Sequence, residues 1–551
     1  MRWVSCGGRR LSWLLLASTM AAATATAQSA DESFVAALSA LRDASFLDKE
    51  AAAERVIATG HRGALPALTA LLEDRLYVRQ QDQRVVIVKA ADESLPAMEL
   101  TDPVSLGGAG SSATSDLTKI GTNNRLRRFL RIALARFALS NADASVRLAA
   151  VNEMMRALDE TTLEVLRQRA ETETDATVRY AIETGLALAA LDDEDPVERL
   201  AAVSTLRDRL RPEVRNRLTA LLATSPDGSF AEKDPEVRRA AVEALQSINT
   251  SRSFYAGIEM LFFGLSLGSV LVLVAIGLAI TFGVMGVINM AHGELMMLGA
   301  YTTYVMQQLM PGHAGVSILL AIPAAFLVAG VAGVVLERTI IRFLYGRPLE
   351  TLLATFGVSL VLQQFVRSVF SANNRSVVAP AWLSGTIQIN EALALTVNRL
   401  YIVAFTLIVF TILLVVLKHT RLGLDIRAVS QNRAMARAIG IRTDWVDAMT
   451  FGLGSGIAGV AGVALSQLTN VGPNLGQSYI IDSFMVVVFG GVGNLWGTLI
   501  GGMSLGILNT LLEPYAGAVL GKILVLVTLI LFIQRRPRGL FPQAGRAAES
   551  T

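Results

Sequence analysis

The chain is 551 residues long, 52% hydrophobic and only 17% charged, with a formal net charge of +3. It is too apolar for an ordinary soluble enzyme, and its charge is too small to indicate a nucleic-acid partner. The charge is also unevenly placed. Residues 31–250 are rich in Asp, Glu and Arg, whereas 257–534 carry long uncharged runs, so a soluble half precedes a membrane half. The fold class this predicts is all-α: a polytopic membrane helix bundle preceded by a soluble helical-repeat domain.

Residues 1–27 read as a signal peptide. Arg9 and Arg10 form a basic region, Leu11–Met20 a short apolar core, and Ala25-Thr26-Ala27 a small-residue cleavage site ahead of Gln28. An uncleaved anchor helix is the alternative. Cys6, the sole cysteine, lies inside this segment, so the mature chain would hold no disulfide or cysteine metal site.

Residues 28–250 are expected to form an exported helical domain. The pattern Asp-x-x-Val-Arg occurs at Asp143, Asp175 and Asp234, with a degenerate copy at Asp195. Each copy reads as an N-cap followed by an amphipathic helix, and together they resemble HEAT-type helical repeats. "RVVIVKA" (Arg84–Ala90) is β-prone, and "SLGGAGSSATS" (Ser105–Ser115) reads as a flexible loop. His61 is expected to be a surface residue without chemistry.

Residues 257–540 form the membrane half, followed by a tail, 541–551. Met260–Phe282, Ala314–Leu336, Leu400–Leu417 and Ala448–Leu468 are uncharged and long enough to span. Leu295–Met310 and Leu352–Val366 span with their flanks, and Pro514–Gln534 does so if Lys522 snorkels or faces protein. Ser483–Leu512 is too long for one comfortable crossing, and "FGGVGNLWGT" at its centre predicts two short helices joined by a glycine turn. Charge placement supports this. Lys418–Arg442 carries six Lys or Arg against one Asp, and it should be cytoplasmic with Glu337–Arg347 and Gln534–Gly539. Starting outside, nine crossings satisfy all of these constraints. In "FGLGSGIAGVAG" (Phe451–Gly462), small residues at four-residue spacing predict close helix packing.

Three stretches occur in order: "GVINMAHGELMMLGAY" (Gly286–Tyr301), "RAVSQNRAMARAIGI" (Arg427–Ile441) and "VVVFGGVGNLWGTLIGG" (Val486–Gly502). Together they resemble the permease subunit of ABC importers in the branched-chain amino-acid family. The first stretch and the N-terminal extension most resemble the urea-type permease. The resemblance implies two ATP-binding subunits, a second permease subunit and an extracytoplasmic substrate-binding protein, in the bacterial inner membrane with the C-terminus cytoplasmic. It also implies that Arg427–Ile441 couples to an ATP-binding subunit. As one helix, that loop sets Ala428, Met435 and Ile439 near one face and Arg433 and Arg437 off it, with Gly440 as the C-terminal stop. The chain itself lacks a nucleotide loop: "GAVLGKI" (Gly517–Ile523) is one residue short and has Ile523 where a hydroxyl belongs. No cofactor, metal or catalytic group is expected.

Asn289, His292 and Glu294 fall at the junction of the first two crossings. Two readings are open there: a water-facing turn that caps the second helix, or an inner mouth of a pathway. The turn reading leads. Asn494, Gln467, Thr498, Asn509 and Gln363 supply amides and a hydroxyl to the spans, with few charges, which tilts toward a small neutral polar solute such as urea over a branched-chain amino acid. Asp482 and Glu513 read as lying at the outer ends of the broken segment. A membrane-anchored interaction protein is the competing class, but it would not need nine packed helices.

Overall fold

The computed structural model describes residues 31–90, 96–224 and 230–541. The expectations for the signal, Cys6 and the tail beyond residue 541 lie outside the described residues. The chain divides into two compact units, Met1–Ile248 and Asn249–Thr551.

The first unit is not all-α. Three helices, α1 (residues 31–43), α2 (Lys49–Ala58) and α3 (Ala64–Leu72), are followed by five strands: β1 (Leu76–Arg79), β2 (Arg84–Val88), β3 (Ala97–Thr101), β4 (Gly108–Ala113) and β5 (Leu117–Lys119). They form an antiparallel sheet in the order β4-β3-β2-β1-β5. The β-prone run is strand β2, and both its faces are buried. Val85 and Ile87 join Leu68 and Leu71 in the helical core, while Val86 and Val88 pack with Tyr77, Met98 and Leu100. A strand buried on both sides reads as a continuous apolar run. The stretch read as a loop contains β4 instead. Its Gly and Ser residues disguise an exposed edge strand held by backbone pairing to β3. His61 is also not a surface residue. Its ring stacks on Phe34 at 4.2 Å, and Nδ1 accepts from the Gly63 amide at 3.0 Å.

Helices α4 (Asn124–Ala138), α5 (Ala144–Met154), α6 (Glu160–Thr172), α7 (Ala176–Ala190), α8 (Pro196–Leu206) and α9 (Pro212–Leu221) follow, and α10 (Pro235–Met285) begins in this unit. The repeated motif explains their starts. Asp143, Asp175, Asp195 and Asp234 each accept from backbone amides of the first turn, which satisfies donors the helix leaves open. Three of the motif arginines fold back in the same way. Arg147, Arg199 and Arg238 each donate to two carbonyls just before their own cap. Arg147 also forks onto Glu173, and Arg199 onto Glu232, so each partner stands two residues before the aspartate of the next copy.

The second unit is a helix bundle: the rest of α10, then α11 (His292–Leu309), α12 (Ala314–Thr339), α13 (Pro348–Phe370), α14 (Val397–His419), α15 (Arg421–Gln431), α16 (Arg433–Ala438), α17 (Thr443–Ser466), α18 (Leu475–Gly490) and α19 (Leu495–Arg535). A hairpin, β6 (Thr386–Asn390) and β7 (Leu393–Thr396), links α13 to α14. Six of these helices (α10, α12, α13, α14, α17 and α19) are long and apolar enough to cross a membrane. The broken segment is found as read: α18 stops at Gly490, Gly491 and Gly493 adopt φ of +103° and +76°, and α19 restarts at Leu495. α19 is itself two helices merged across a kink at Gly517, with Pro514 nearby. α18 is a shorter apolar helix, and the nine-crossing reading draws on it, on α11 and on a division of α19 at that kink.

α17 is the buried centre of the bundle. A Cβ on Gly299 of α11 would stand 2.0 Å from the Gly459 carbonyl oxygen, and one on Gly459 would stand 2.5 Å from that of Ala325 in α12. The small residues of Phe451–Gly462 therefore set backbone against backbone, as their spacing predicted. Asp482 is not at an outer end. It is 8% exposed within α18, and its Oδ2 accepts from Lys522 Nζ of α19 at 3.1 Å.

Candidate functional site

The α10–α11 junction is not a water-facing turn. Gly286, at φ +65°, ends α10, and the chain then folds inward. Asn289, His292 and Glu294 are each at most 1% exposed. Two glycines allow this. A Cβ on Gly277 would meet the His292 ring at 2.8 Å, and one on Gly293 would stand 2.4 Å from the Gly476 carbonyl oxygen. With no side chains at these points, α10 and α18 close over the junction.

Each polar group has a defined role. Asn289 Oδ1 accepts from the Ala291 amide at 3.0 Å. His292 Nε2 lies 3.0 Å from the Val274 carbonyl, so Nε2 carries the hydrogen and Nδ1 is left as an acceptor. Glu294 Oε1 accepts twice from α13, from Ser359 Oγ at 3.0 Å and Gln363 Nε2 at 2.8 Å. Four buried atoms along this region have no partner among the described residues: Asn289 Nδ2, His292 Nδ1, Glu294 Oε2 and Tyr301 Oη.

The α13 wall of the site is a polar stripe. Thr351, Thr355, Ser359 and Gln363 follow at four-residue spacing, and all are buried. The Met290 amide donates to Thr355 Oγ1 at 3.1 Å, Ser359 and Gln363 meet Glu294, and the Tyr301 ring lies tilted against Phe370 with centroids 4.7 Å apart. Both numberings rise together along this seam, so α11 and α13 run parallel. Sequence reasoning named Gln363 but missed Thr351, Thr355 and Ser359. Their spacing puts all four on one face of a membrane helix and was the available signal.

Asn494 does not join this group. Its Oδ1 caps α19 by accepting from the Gly497 amide at 3.1 Å, and its Nδ2 donates to the Phe541 carbonyl at 3.3 Å.

The basic loop is two helices rather than one. Asn432, at φ −152°, breaks it, and Asn432 Oδ1 caps α16 by accepting from the Met435 amide. A side-chain oxygen that can cap a new helix competes with continuation of the old one. Gly440 does end α16: it sits at φ +93°, and the Ile441 amide returns to the Ala436 carbonyl at 3.0 Å. Arg433 turns inward, gripping Asp447 of α17 with two bonds of 2.7 and 2.8 Å and lying over the Tyr345 ring. Arg437 donates to Thr443 Oγ1. Ala428 is half-buried and Arg427 exposed, and Met435 and Ile439 are 59% and 69% exposed. Met435 and Ile439 thus hold apolar side chains outward on an anchored loop.

Several candidate membrane helices, a buried polar seam and an anchored basic loop make the second unit a polytopic membrane bundle. Residues 260–533 match the family described as branched-chain amino acid transport system / permease component. The high-affinity branched-chain amino acid transport system permease protein LivH of Salmonella typhimurium is 31% identical over 301 residues, which is 53% of this chain and 97% of that relative. BraD of Pseudomonas aeruginosa, a permease protein of the same description, is 30% identical over 296 residues, 52% of this chain and 96% of the relative. A probable branched-chain amino acid transport permease protein of Methanocaldococcus jannaschii is 26% identical over 49% of this chain and 88% of its own length. The chain belongs to the family of branched-chain amino acid transport permease components, which are transport subunits and not enzymes. Its first unit has no counterpart in relatives whose length the second unit already accounts for.

Proposed function

We propose that this chain is the membrane-spanning permease subunit of an ABC importer, with ATP hydrolysis on separate subunits. Near-complete alignment of two 30–31% identical permeases with the second unit carries this reading. On this reading the chain works with two ATP-binding subunits, a second permease subunit and an extracytoplasmic substrate-binding protein. It lies in a bacterial inner membrane with residues 28–250 outside and the C-terminus inside. The exposed Met435 and Ile439, with Arg427 and Arg437, are the surface an ATP-binding subunit would engage. The first unit, read as a HEAT-like repeat domain, would act on the binding-protein side.

For the cargo, the relatives' names favour a branched-chain amino acid over urea, the reading with which the sequence led. Urea keeps two supports: a first unit those relatives lack, and an α13 stripe built of hydroxyls and an amide. A neutral solute loses little on entry if such groups replace its bonds to water. A zwitterion needs charge-assisted partners. Reconstituted complex assayed with labelled leucine and labelled urea at limiting concentration separates the two, and uptake of neither refutes both. Reporter fusions near residue 240 and in the Arg427–Gly440 loop test the orientation. A cytoplasmic signal at residue 240 contradicts it.

A further inference from the structure

We propose that Glu294, held by Ser359 and Gln363, is the station at which the transported solute is bound through its N–H groups. This rests on the importer reading above and adds the residue and the chemistry of recognition.

A purely structural role does not call for a glutamate. Glu294 ties α11 to α13 through Oε1 alone, which takes both the Ser359 and the Gln363 bond. An amide oxygen could accept the same two bonds. The tie therefore needs only a glutamine, which is far less costly inside a membrane than an ionisable group. What a glutamate adds is a second acceptor oxygen, and that oxygen has no partner among the described residues although the residue is 1% exposed. Buried polar atoms are nearly always satisfied, and an exception asks for an explanation. No Lys or Arg stands within ion-pair distance of Glu294 among the described residues; Arg367 of α13 acts on it only through space, its guanidinium donating to Asn474 Oδ1. An acceptor with both lone pairs open takes an N–H donor, and amides and ammonium groups both supply one.

The surroundings suit a transient guest. Tyr301 lies two turns along α11 on the same seam, and its hydroxyl is also buried without a partner. On α13 the stripe Thr351, Thr355, Ser359 and Gln363 continues the polar wall. The opposite face of α13 is bare, with Leu353 and Val361 71% and 67% exposed. Both ends of α13 are sharp: Gly346 precedes it at φ +81°, and Ser371 follows it at φ +72°. The α11–α13 seam is tied by the Met290–Thr355 and Glu294 bonds, apart from the glycine-packed contacts of α17.

The test uses the full reconstituted complex. On the wild type, uptake of leucine or urea is measured against its fully N-methylated analogue, N,N,N-trimethyl-leucine or tetramethylurea. Because the analogue has no N–H, it should not compete, and full competition overturns the proposal. In the same membranes Glu294→Gln should raise KM at least tenfold while the amount of assembled complex stays at the wild-type level, because Gln keeps both bonds to α13. Glu294→Asp should fall between the two. Unchanged KM in Glu294→Gln with normal wild-type uptake overturns the proposal and leaves the importer reading standing. Wild-type complex that carries neither solute overturns both.

Discussion

Asp447→Asn tests whether the Arg427–Ile441 loop is a rigid lever. α16 has six residues, well below the roughly 12–15 at which an isolated helix becomes marginally stable. Its position depends on anchors: the Arg433 fork on Asp447, the Arg437 bond to Thr443, and buried Ala436. A charge-assisted hydrogen bond contributes about 1.5–3 kcal/mol. Arg433 is 24% exposed and Asp447 7%, so screening pulls the fork toward the lower end, about 2 kcal/mol in total. That corresponds to about a 30-fold change in the ratio of anchored to released loop. The substitution would also leave the guanidinium with one acceptor in place of two. The assay is solute taken up per ATP hydrolysed by complex in proteoliposomes. The ratio should fall several-fold in Asp447→Asn, and exchanging the charges (Arg433→Asp with Asp447→Arg) should restore part of it. A wild-type ratio in Asp447→Asn, or effects of the two single alanine variants that add to within about 0.5 kcal/mol in the double, would refute the lever.

Glu173 accepts from Arg147, Arg169 and the amides of Thr174 and Asp175, and the bond from Arg147 leads in holding its pKa down to about 2, from 4.5. A depressed carboxylate pKa adds stability above about pH 4.5 that disappears as the pH falls through about 2. Circular dichroism of the purified chain should show this acid loss blunted in Glu173→Gln, whose neutral-pH stability should already be lower by about 3 kcal/mol. Gly459→Leu should abolish assembled protein by size-exclusion chromatography, because even a Cβ there meets the Ala325 carbonyl oxygen at 2.5 Å. Gly357→Ala should be neutral, since a Cβ there meets nothing within 4 Å.

The sequence disclosed most where one residue type has one use. Aspartates ahead of amphipathic runs became caps, glycines at four-residue spacing became helix contacts, and Gly491 and Gly493 became the turn between α18 and α19. It misled where a residue's role depends on distant neighbours. Gly108–Ala113 forms a strand only because β3 lies beside it. Asn289, His292 and Glu294 are polar enough for a surface turn, and only the missing side chains of Gly277 and Gly293, one of them fifteen residues before His292, let the bundle close over them. The Arg427–Ile441 loop carried both signals at once, helical periodicity and an asparagine able to cap, and the cap prevailed at Asn432. The seam was partly visible: Gln363 stood out as an amide in a span, while three hydroxyls at the same spacing passed as ordinary membrane-helix residues.

The pair between Lys522 and Asp482 bears on how the chain is made. The two residues are 40 positions apart, and Asp482 is synthesised first. Each alone is costly in hydrocarbon, by about 2.5–3.5 kcal/mol on insertion scales. Until α19 is delivered, the nascent protein holds Asp482 without its cation, and arrival of Lys522 supplies it. Joining of α19 to α18 is thus marked by neutralisation of a buried acid. In a pulse-chase experiment Lys522→Leu should shorten the protein's half-life, and adding Asp482→Leu should lengthen it again. An equal half-life for the single and double variants would mean that the pair holds the helices together and nothing more. If the half-life recovers, the pair works as a checkpoint on the joining of α18 and α19 as well as a tie within the bundle.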